Sequence, residues 1–235
     1  MGKTTRSSSV ALVIMLSLVL YADFPYPAAG QGNYDVVKRG VVKIIAYQPE
    51  NVRDIGAGIV VGVDKNIALI ATAHHVVKDA KKIEVVFFDM QWERFSGRLF
   101  ERYHEDLDMS VIVVDPPQGR SVPADLPGFI LGDMSKLKAG ERVSTIGHPL
   151  DLNWEVSVNT NTLARLSDRG DFRKFRFTKT AIEHGSAGGP VFNEQGALIG
   201  TVTKVDPIHA VAVKIDAVVS VLIQEWRIPT NLLRP

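Results

Sequence analysis

Past residue 34, the hydrophobic positions form short runs of aliphatic and β-branched residues, separated by glycine or by charged turns. Such runs predict β-strands, and their close spacing, without helical patterns between them, is typical of barrels or sandwiches. The runs cover residues 41–45, 58–63, 68–72, 83–88, 111–114, 142–147, 155–166, 172–180, 197–205 and 210–213.

One segment near the end has helical periodicity instead, because its apolar residues recur at intervals of three or four. They are Ile215, Val218, Val219, Leu222 and Trp226. Pro229 follows and would end the helix. We therefore expect an all-β fold of two small antiparallel barrels with a C-terminal α-helix packed across them.

A proline-rich stretch at residues 116–127 separates the two groups of strands. Prolines in such numbers mark a connection rather than an element. We expect an N-terminal barrel within residues 31–120, and a C-terminal barrel with the helix within residues 121–235.

The N-terminus has the pattern of a secretory signal peptide, which we assign to residues 1–30. Lys3 and Arg6 precede an apolar run at residues 10–20, and small residues follow at 28–30. An uncleaved membrane anchor is the alternative, but the apolar run is short of the ~20 residues that span a bilayer. The pattern favours export to the periplasm or the extracellular space, with membrane contact only through this segment if it stays uncleaved.

Composition excludes several classes of function. The chain is 46% hydrophobic and 23% charged, with a net charge of +1, so no excess of positive charge suggests a nucleic-acid partner. It has no cysteine, which excludes disulfides, thiol catalysis and cysteine zinc sites. No His-Glu-x-x-His pair is present, and we expect neither a metal nor a cofactor.

Three segments together suggest acyl-transfer chemistry. His74 and His75 follow a predicted strand, Asp108 opens another, and residues 185–190 read GSAGGP. Serine catalysis needs a base, an acid that orients this base, a hydroxyl, and backbone N–H groups aimed at the developing oxyanion. The three segments supply all of these except the hydroxyl.

The order of these segments, together with others that have no catalytic role, resembles the protease domain of the HtrA/Deg group of trypsin-like serine peptidases. The resemblance covers about residues 35–222. Its motifs are GAGIVV at 56–61, TAHHVV at 72–77, LGDMSKLKAGERV at 131–143, IGHP at 146–149 and GALIG at 196–200. The resemblance implies the chymotrypsin-like double-barrel fold.

The resemblance also implies roles for individual residues. It makes His75, not His74, the base and Asp108 the acid, and it puts the oxyanion donors on the backbone of Gly185 and Ala187. The implied specificity pocket has no charged residue, so we expect it to accept a small aliphatic side chain. It is lined by Ala181, Ile182, Thr201, Val202 and Thr203.

Departures from the family pattern bear directly on activity. Ala187 stands where the family has the nucleophilic serine, Ser186 stands where it has asparagine, and His148 replaces the asparagine of I-G-N-P. We also expect no PDZ domain within these residues. Alanine has no nucleophilic atom, so covalent catalysis at this position is excluded.

The sequence leaves three functions open. The first, which we favour, is a pseudoprotease that binds extended peptide or unfolded protein in its cleft. The second is a serine endopeptidase, with Ser186 as a substitute nucleophile or with Ala187 as an engineered replacement of a serine. Ser186 is disfavoured as a nucleophile, because a shift of one residue points its side chain in another direction. An engineered replacement is disfavoured, because the chain has a complete signal segment and no tag, which favours natural loss of the serine. The third is a structural domain with a vestigial cleft.

Overall fold

Within the described residues, twelve strands form two closed antiparallel barrels of six strands each. The computed structural model describes residues 34–64, 66–180, 182–230 and 233. The predicted signal segment at residues 1–30 and the predicted pocket residue Ala181 lie outside the described residues. The predicted all-β double barrel is confirmed.

The first barrel has the strand order β1-β2-β3-β6-β5-β4. Its strands are β1 (Val41–Tyr47), β2 (Arg53–Asp64), β3 (Ile67–Ala73), β4 (Lys82–Phe87), β5 (Phe95–His104) and β6 (Met109–Val114). The second barrel has the order β10-β11-β12-β9-β8-β7. Its strands are β7 (Arg142–Gly147), β8 (Glu155–Arg165), β9 (Lys174–Thr178), β10 (Pro190–Phe192), β11 (Leu198–Val205) and β12 (His209–Lys214).

Helical elements are short. They are α1 (Tyr34–Lys38), α2 (His74–Val77) and α3 (Ile215–Ser220), which continues as a π-helical turn over Val221–Glu225. Short 3₁₀ turns cover Pro49–Asn51, Phe88–Met90, Met134–Lys136 and Pro149–Asp151. None of the helices in the described part of the chain is long and apolar enough to cross a bilayer.

Strand β1 shows why nearly continuous apolar runs occur in this chain. Successive side chains of a strand point to opposite faces. Val42 and Ile44 join the core of the first barrel, whereas Val41 and Ile45 join an apolar cluster that also contains residues of the second barrel. Both faces of β1 are therefore buried, and the two barrels share one interface.

The C-terminal helix lies at this interface, as its apolar periodicity predicts. Ile215, Val218 and Leu222 belong to the shared cluster. The ring of Trp226 lies 5.9 Å from that of Phe100 on β5, so the end of the helical segment reaches the first barrel.

Two strands are not evident from the hydrophobic pattern. Strand β5 has Arg98, Glu101 and Arg102 among its apolar residues, and its pairing with β6 shifts register between Leu99 and Tyr103. Strand β10 has three residues and begins at Pro190. In both cases pairing with neighbouring strands, rather than local pattern, makes the segment a strand.

Candidate active site

His75 lies where β3 ends and α2 begins. Val76 and Val77 are buried in the first barrel, which fixes the orientation of this short helix. The side chain of His75 remains 53% exposed. It is thus held by a buried backbone and presented toward solvent.

Asp108 orients the imidazole of His75 through two hydrogen bonds. Its Oδ2 lies 2.6 Å from His75 Nδ1, and its Oδ1 accepts the backbone N–H of His75 at 2.8 Å. A carboxylate only accepts, so Nδ1 carries the proton and the neutral ring keeps its lone pair on Nε2. The hydrogen bond to Asp108 raises the pKa of His75 above its usual value.

His74 has a different set of partners. Its Nδ1 lies 2.7 Å from the hydroxyl of Ser110, and its ring stacks on Tyr103 with centroids 4.2 Å apart. Burial lowers the pKa of His74. The structure thus pairs His75, not His74, with Asp108, while His74 ties α2 to strands β5 and β6.

The GSAGGP loop, residues 185–190, is held between the two barrels. The carbonyl of Ala187 accepts the N–H of Ala57 on β2 at 2.7 Å, and the N–H of Gly188 donates to Val202 on β11 at 2.7 Å. A Cβ on Gly188 would lie 2.0 Å from the carbonyl oxygen of Ala57, and its φ is +85°. Only glycine fits this approach.

Ala187 itself is 8% exposed and packs with the core of the first barrel, whose cluster includes Val76 beside His75. Its backbone is therefore fixed by a contact with each barrel, while its side chain ends at Cβ. The position predicted for the nucleophile carries no atom that could attack a carbonyl carbon.

The predicted oxyanion donors are the backbone N–H groups of Gly185 and Ala187. Within the described residues, neither the N–H of Gly185 nor that of Ala187 donates a hydrogen bond. Gly185 has φ of +99°, and a Cβ there would lie 2.0 Å from the carbonyl oxygen of His148. This conformation requires glycine and leaves both N–H groups available to a ligand.

Ser186 lies against β7. It is 4% exposed, its N–H donates to Glu183 at 3.0 Å, and its Oγ lies 3.0 Å from where a Cβ on Gly147 would stand. In the described part of the chain, no hydrogen bond joins its hydroxyl to His75.

The described residues of the predicted specificity pocket lie next to the GSAGGP loop. Val202 exchanges hydrogen bonds with it, accepting from Gly188 and donating to Gly189 at 2.8 Å. Ile182 and Val202 are buried in the core of the second barrel, and Thr201 and Thr203 flank Val202 on β11. The lining of a pocket by these residues stays a prediction.

Thr72, the first residue of the TAHHVV motif, has a supporting role that the motif alone does not indicate. Its buried hydroxyl donates to the carbonyl of Ala57 at 2.7 Å, next to the backbone that anchors Ala187. A hydroxyl on the otherwise apolar strand β3 is the signal that could have found it. The described residues contain no group of three or more His, Asp or Glu positioned to hold a metal.

Comparison with known proteins agrees with this geometry. Residues 56–200, more than half of the chain, match the model of the trypsin-like peptidase domain. The chain belongs to this family. Its relatives are of the HtrA/DegP type of trypsin-like serine protease.

Curated relatives cover a wide range of organisms. A "Probable periplasmic serine endoprotease DegP-like" of Hahella chejuensis is 31% identical over 65% of this chain and 30% of its own length. Serine protease HTRA4 of Mus musculus is 31% identical over 62% of this chain and 29% of its own. This trypsin-like peptidase domain thus spans less than a third of the length of these relatives.

A solved structure has the same fold. The HtrA-type protease AlgW with a tripeptide superposes with a TM-score of 0.62 at 19% identity. The match covers 80% of this chain and 62% of that one. At this identity, the likeness supports the double-barrel fold alone.

Proposed function

We propose that this protein binds extended peptide or unfolded protein segments in an HtrA-type cleft without cleaving them. One observation carries the proposal. His75 and Asp108 form a hydrogen bond of 2.6 Å, while the GSAGGP loop has Ala187 at the position where the family resemblance predicts the nucleophile.

Without a hydroxyl at residue 187, the site cannot cleave a peptide, but it can still bind one. Loss of the serine from such a triad lowers turnover by roughly six orders of magnitude, because no acyl-enzyme forms. The N–H groups of Gly185 and Ala187 still have no acceptor among the described residues, so a bound carbonyl oxygen could accept from both. A site that holds a carbonyl without attacking it is a peptide-binding site.

The ligand follows from the same site. The predicted pocket residues carry no charge, which favours a small aliphatic side chain over lysine or arginine. The AlgW neighbour was solved with a tripeptide, which supports peptide as the class of ligand.

Export is part of the proposal. The signal-type pattern of residues 1–30 and the periplasmic names of several relatives both support it. In that compartment, unfolded segments of other exported proteins would be the available ligands.

A second candidate is an active serine endopeptidase in which Ala187 replaces an original serine. The retained His75–Asp108 bond favours this candidate, because a base oriented by an acid lacks only a hydroxyl to activate. This candidate predicts that the Ala187→Ser variant, which restores the side-chain oxygen, regains peptidase activity.

Binding is tested with a fluorescent peptide of aliphatic residues and with unfolded casein, using fluorescence polarisation. We expect saturable binding that weakens at least tenfold in Gly185→Ala, because the new Cβ would lie 2.0 Å from the His148 carbonyl oxygen and force the loop to move. Absence of saturable binding to both probes would overturn the proposal.

Gly140→Ala is the matched control. Gly140 also has positive φ, +94°, but a Cβ there would meet none of the described atoms within 4 Å. It shares the conformational cost of the first variant without the clash, and we expect it to bind as the unaltered protein does. Equal losses in both variants would show that binding follows stability rather than the cleft.

A further inference from the structure

His148 is a fully buried histidine whose ring is only half satisfied. Its Nδ1 accepts the backbone N–H of Trp154 at 3.2 Å, so the neutral ring carries its proton on Nε2. Nε2 is buried and has no hydrogen-bond partner among the described residues. Backbone groups of Val42 and Leu152 lie close to the ring and favour its charged form. Neither group has the geometry of a hydrogen bond to Nε2.

The segment that His148 begins, residues 148–154, is strained. Leu150, Asp151 and Trp154 have φ of +52°, +69° and +48°. Such values in residues other than glycine persist only where surrounding contacts hold them. Here, the bond from Trp154 N–H to His148 Nδ1 closes the segment into a loop.

Other contacts of the segment come from β1. Lys43 Nζ contacts Asp151 Oδ1 at 2.6 Å and Asn153 Oδ1 at 2.7 Å, and the indole of Trp154 donates to Val41 at 2.8 Å. A cavity of about 260 Å³ borders the segment and is lined in part by these side chains. The segment is therefore not fully packed on this side.

The same segment contacts Gly185, one of the two predicted oxyanion donors. The N–H of His148 donates to the carbonyl of Gly185 at 3.1 Å, and the N–H of Leu150 donates to that of His184 at 2.8 Å. The His148 carbonyl oxygen occupies the space where a Cβ on Gly185 would stand. A change in the fold of residues 148–154 would thus move Gly185.

Charge on His148 is incompatible with this arrangement. A protonated Nδ1 would present an N–H to the N–H of Trp154, and Lys43 would repel the ring. Burial, followed by the charge of Lys43, lowers the pKa of His148 to about 3. Asp151 offsets this in part, but it already contacts Lys43 and Arg53.

We propose that neutral His148 is a positioning residue that holds the 148–154 segment, and through it Gly185, and that acid releases both. The protein's affinity for peptide would then depend on His148, which contacts no ligand. This last consequence rests on the proposed function, whereas the release itself does not.

The direction with pH follows from linkage. His148 is neutral when the segment is closed and titrates near its ordinary value of 6.5 when the segment opens. Between about pH 6.5 and 3 the open form binds more protons, so each pH unit downward favours opening by up to tenfold. Above pH 6.5 the effect vanishes.

Amide hydrogen exchange between pH 4.5 and 8, corrected for intrinsic rates, measures this opening. We expect protection of the Leu150 and Trp154 amides to fall up to tenfold per pH unit below 6.5. The Val60 amide, bonded to Gly40 in the first barrel at 2.9 Å, should not follow. A flat profile at Leu150 and Trp154, or a parallel fall at Val60, would overturn the proposal, since the latter reports global unfolding.

Two variants assign the effect to His148. His148→Asn and His148→Gln keep an acceptor for Trp154 and cannot titrate, so we expect a flat exchange profile from whichever folds. His184→Asn is the control, because it removes an exposed histidine from the neighbouring segment and should leave the pH dependence unchanged. Glu183 is the other titratable group of that segment. Persistence of the fall in the folded His148 variants, or its loss in His184→Asn, would contradict the proposal.

Peptide affinity at pH 7.5 and 5 separates the two proposals. All variants retain His75, so the difference between the unaltered protein and His148→Asn isolates His148. We expect acid to weaken binding several-fold more in the unaltered protein. If no peptide binds at either pH while exchange behaves as expected, the proposed function fails and the release mechanism stands.

Discussion

At the scale of single residues, the proposed function depends on Ala187, which stands at the position predicted for the nucleophile and has no side-chain oxygen. Ala187 is held by backbone bonds that depend on its carbonyl and on its glycine neighbours, not on its side chain. Exchange of serine for alanine therefore leaves the loop in place. His75 meanwhile keeps its hydrogen bonds to Asp108, and no hydroxyl in the described part of the chain is hydrogen-bonded to its ring.

Ala187→Ser tests whether the machinery is otherwise intact. We expect a fluorophosphonate to label the variant at least a hundredfold faster than the unaltered protein, because the new hydroxyl would meet the Nε2 lone pair of His75. Labelling is followed by mass spectrometry of the intact protein.

The other outcomes of this experiment are equally informative. Labelling of the unaltered protein would point to Ser186 and contradict loss of the nucleophile. Failure of both proteins to react would contradict the endopeptidase candidate, and only the binding experiment would then separate a peptide site from a vestigial cleft.

Asp108→Asn tests the electrostatic role of the acid. The bond to Asp108 raises the pKa of His75, so we expect the variant to lower it toward 6.5, measured by NMR titration of the ring. The stabilisation by this bond is complete below pH 6.5 and is lost as pH rises through the raised pKa of His75. An unchanged pKa of His75 in the variant would show that the carboxylate does not set it.

At the scale of elements, the site residues lie on α2, before β6 and in the loop before β10, whereas the C-terminal helical segment packs between the barrels through a few large side chains. Trp226 is buried at the end of the π-helical turn and contacts Phe100 of β5. It links a segment that follows the second barrel to a strand of the first.

Trp226→Ala removes this link. We expect a loss of about 3–5 kcal/mol in the free energy of unfolding, typical of truncating a buried tryptophan. Trp92→Ala is the matched control, since Trp92 is 99% exposed and its removal should change stability by less than about 0.5 kcal/mol. Urea unfolding measures both; similar losses would refute the proposed role of the helix in docking.

At the scale of the whole molecule, the two barrels share an apolar cluster and should unfold together. The cluster contains Val41 and Ile59 of the first barrel, Phe192 and Val213 of the second, and Leu222 of the helical segment. Separating the barrels would expose this surface to water, which opposes a half-folded intermediate.

We therefore expect one cooperative transition in urea. Far-ultraviolet circular dichroism follows the strands, and the fluorescence of the buried Trp154 and Trp226 follows their packing environment. The two curves should have the same midpoint. Separate midpoints would show that the barrels unfold independently.

Prediction from sequence succeeded where a local pattern carries the information. Alternating and continuous apolar runs indicated most strands, and the periodicity of residues 215–226 indicated the helix. It failed at β5 and β10, where charged residues or a proline interrupt the pattern and pairing with neighbours makes the strand. It also gave no sign of the π-helical turn, whose hydrogen bonding depends on docking.

The sequence by itself determined the class of fold, the order of the motifs and the absence of a hydroxyl at residue 187, because each of these is a property of residue types in order. The resemblance implied His75 as the partner of Asp108, but only the tertiary structure brings the two side chains into contact. Only the tertiary structure likewise decided that Ser186 packs against β7 and that His148 is buried, with no partner for Nε2 among the described residues. These depend on side chains brought together across strands and between barrels. Their directions and burial follow from packing, which no stretch of sequence specifies alone.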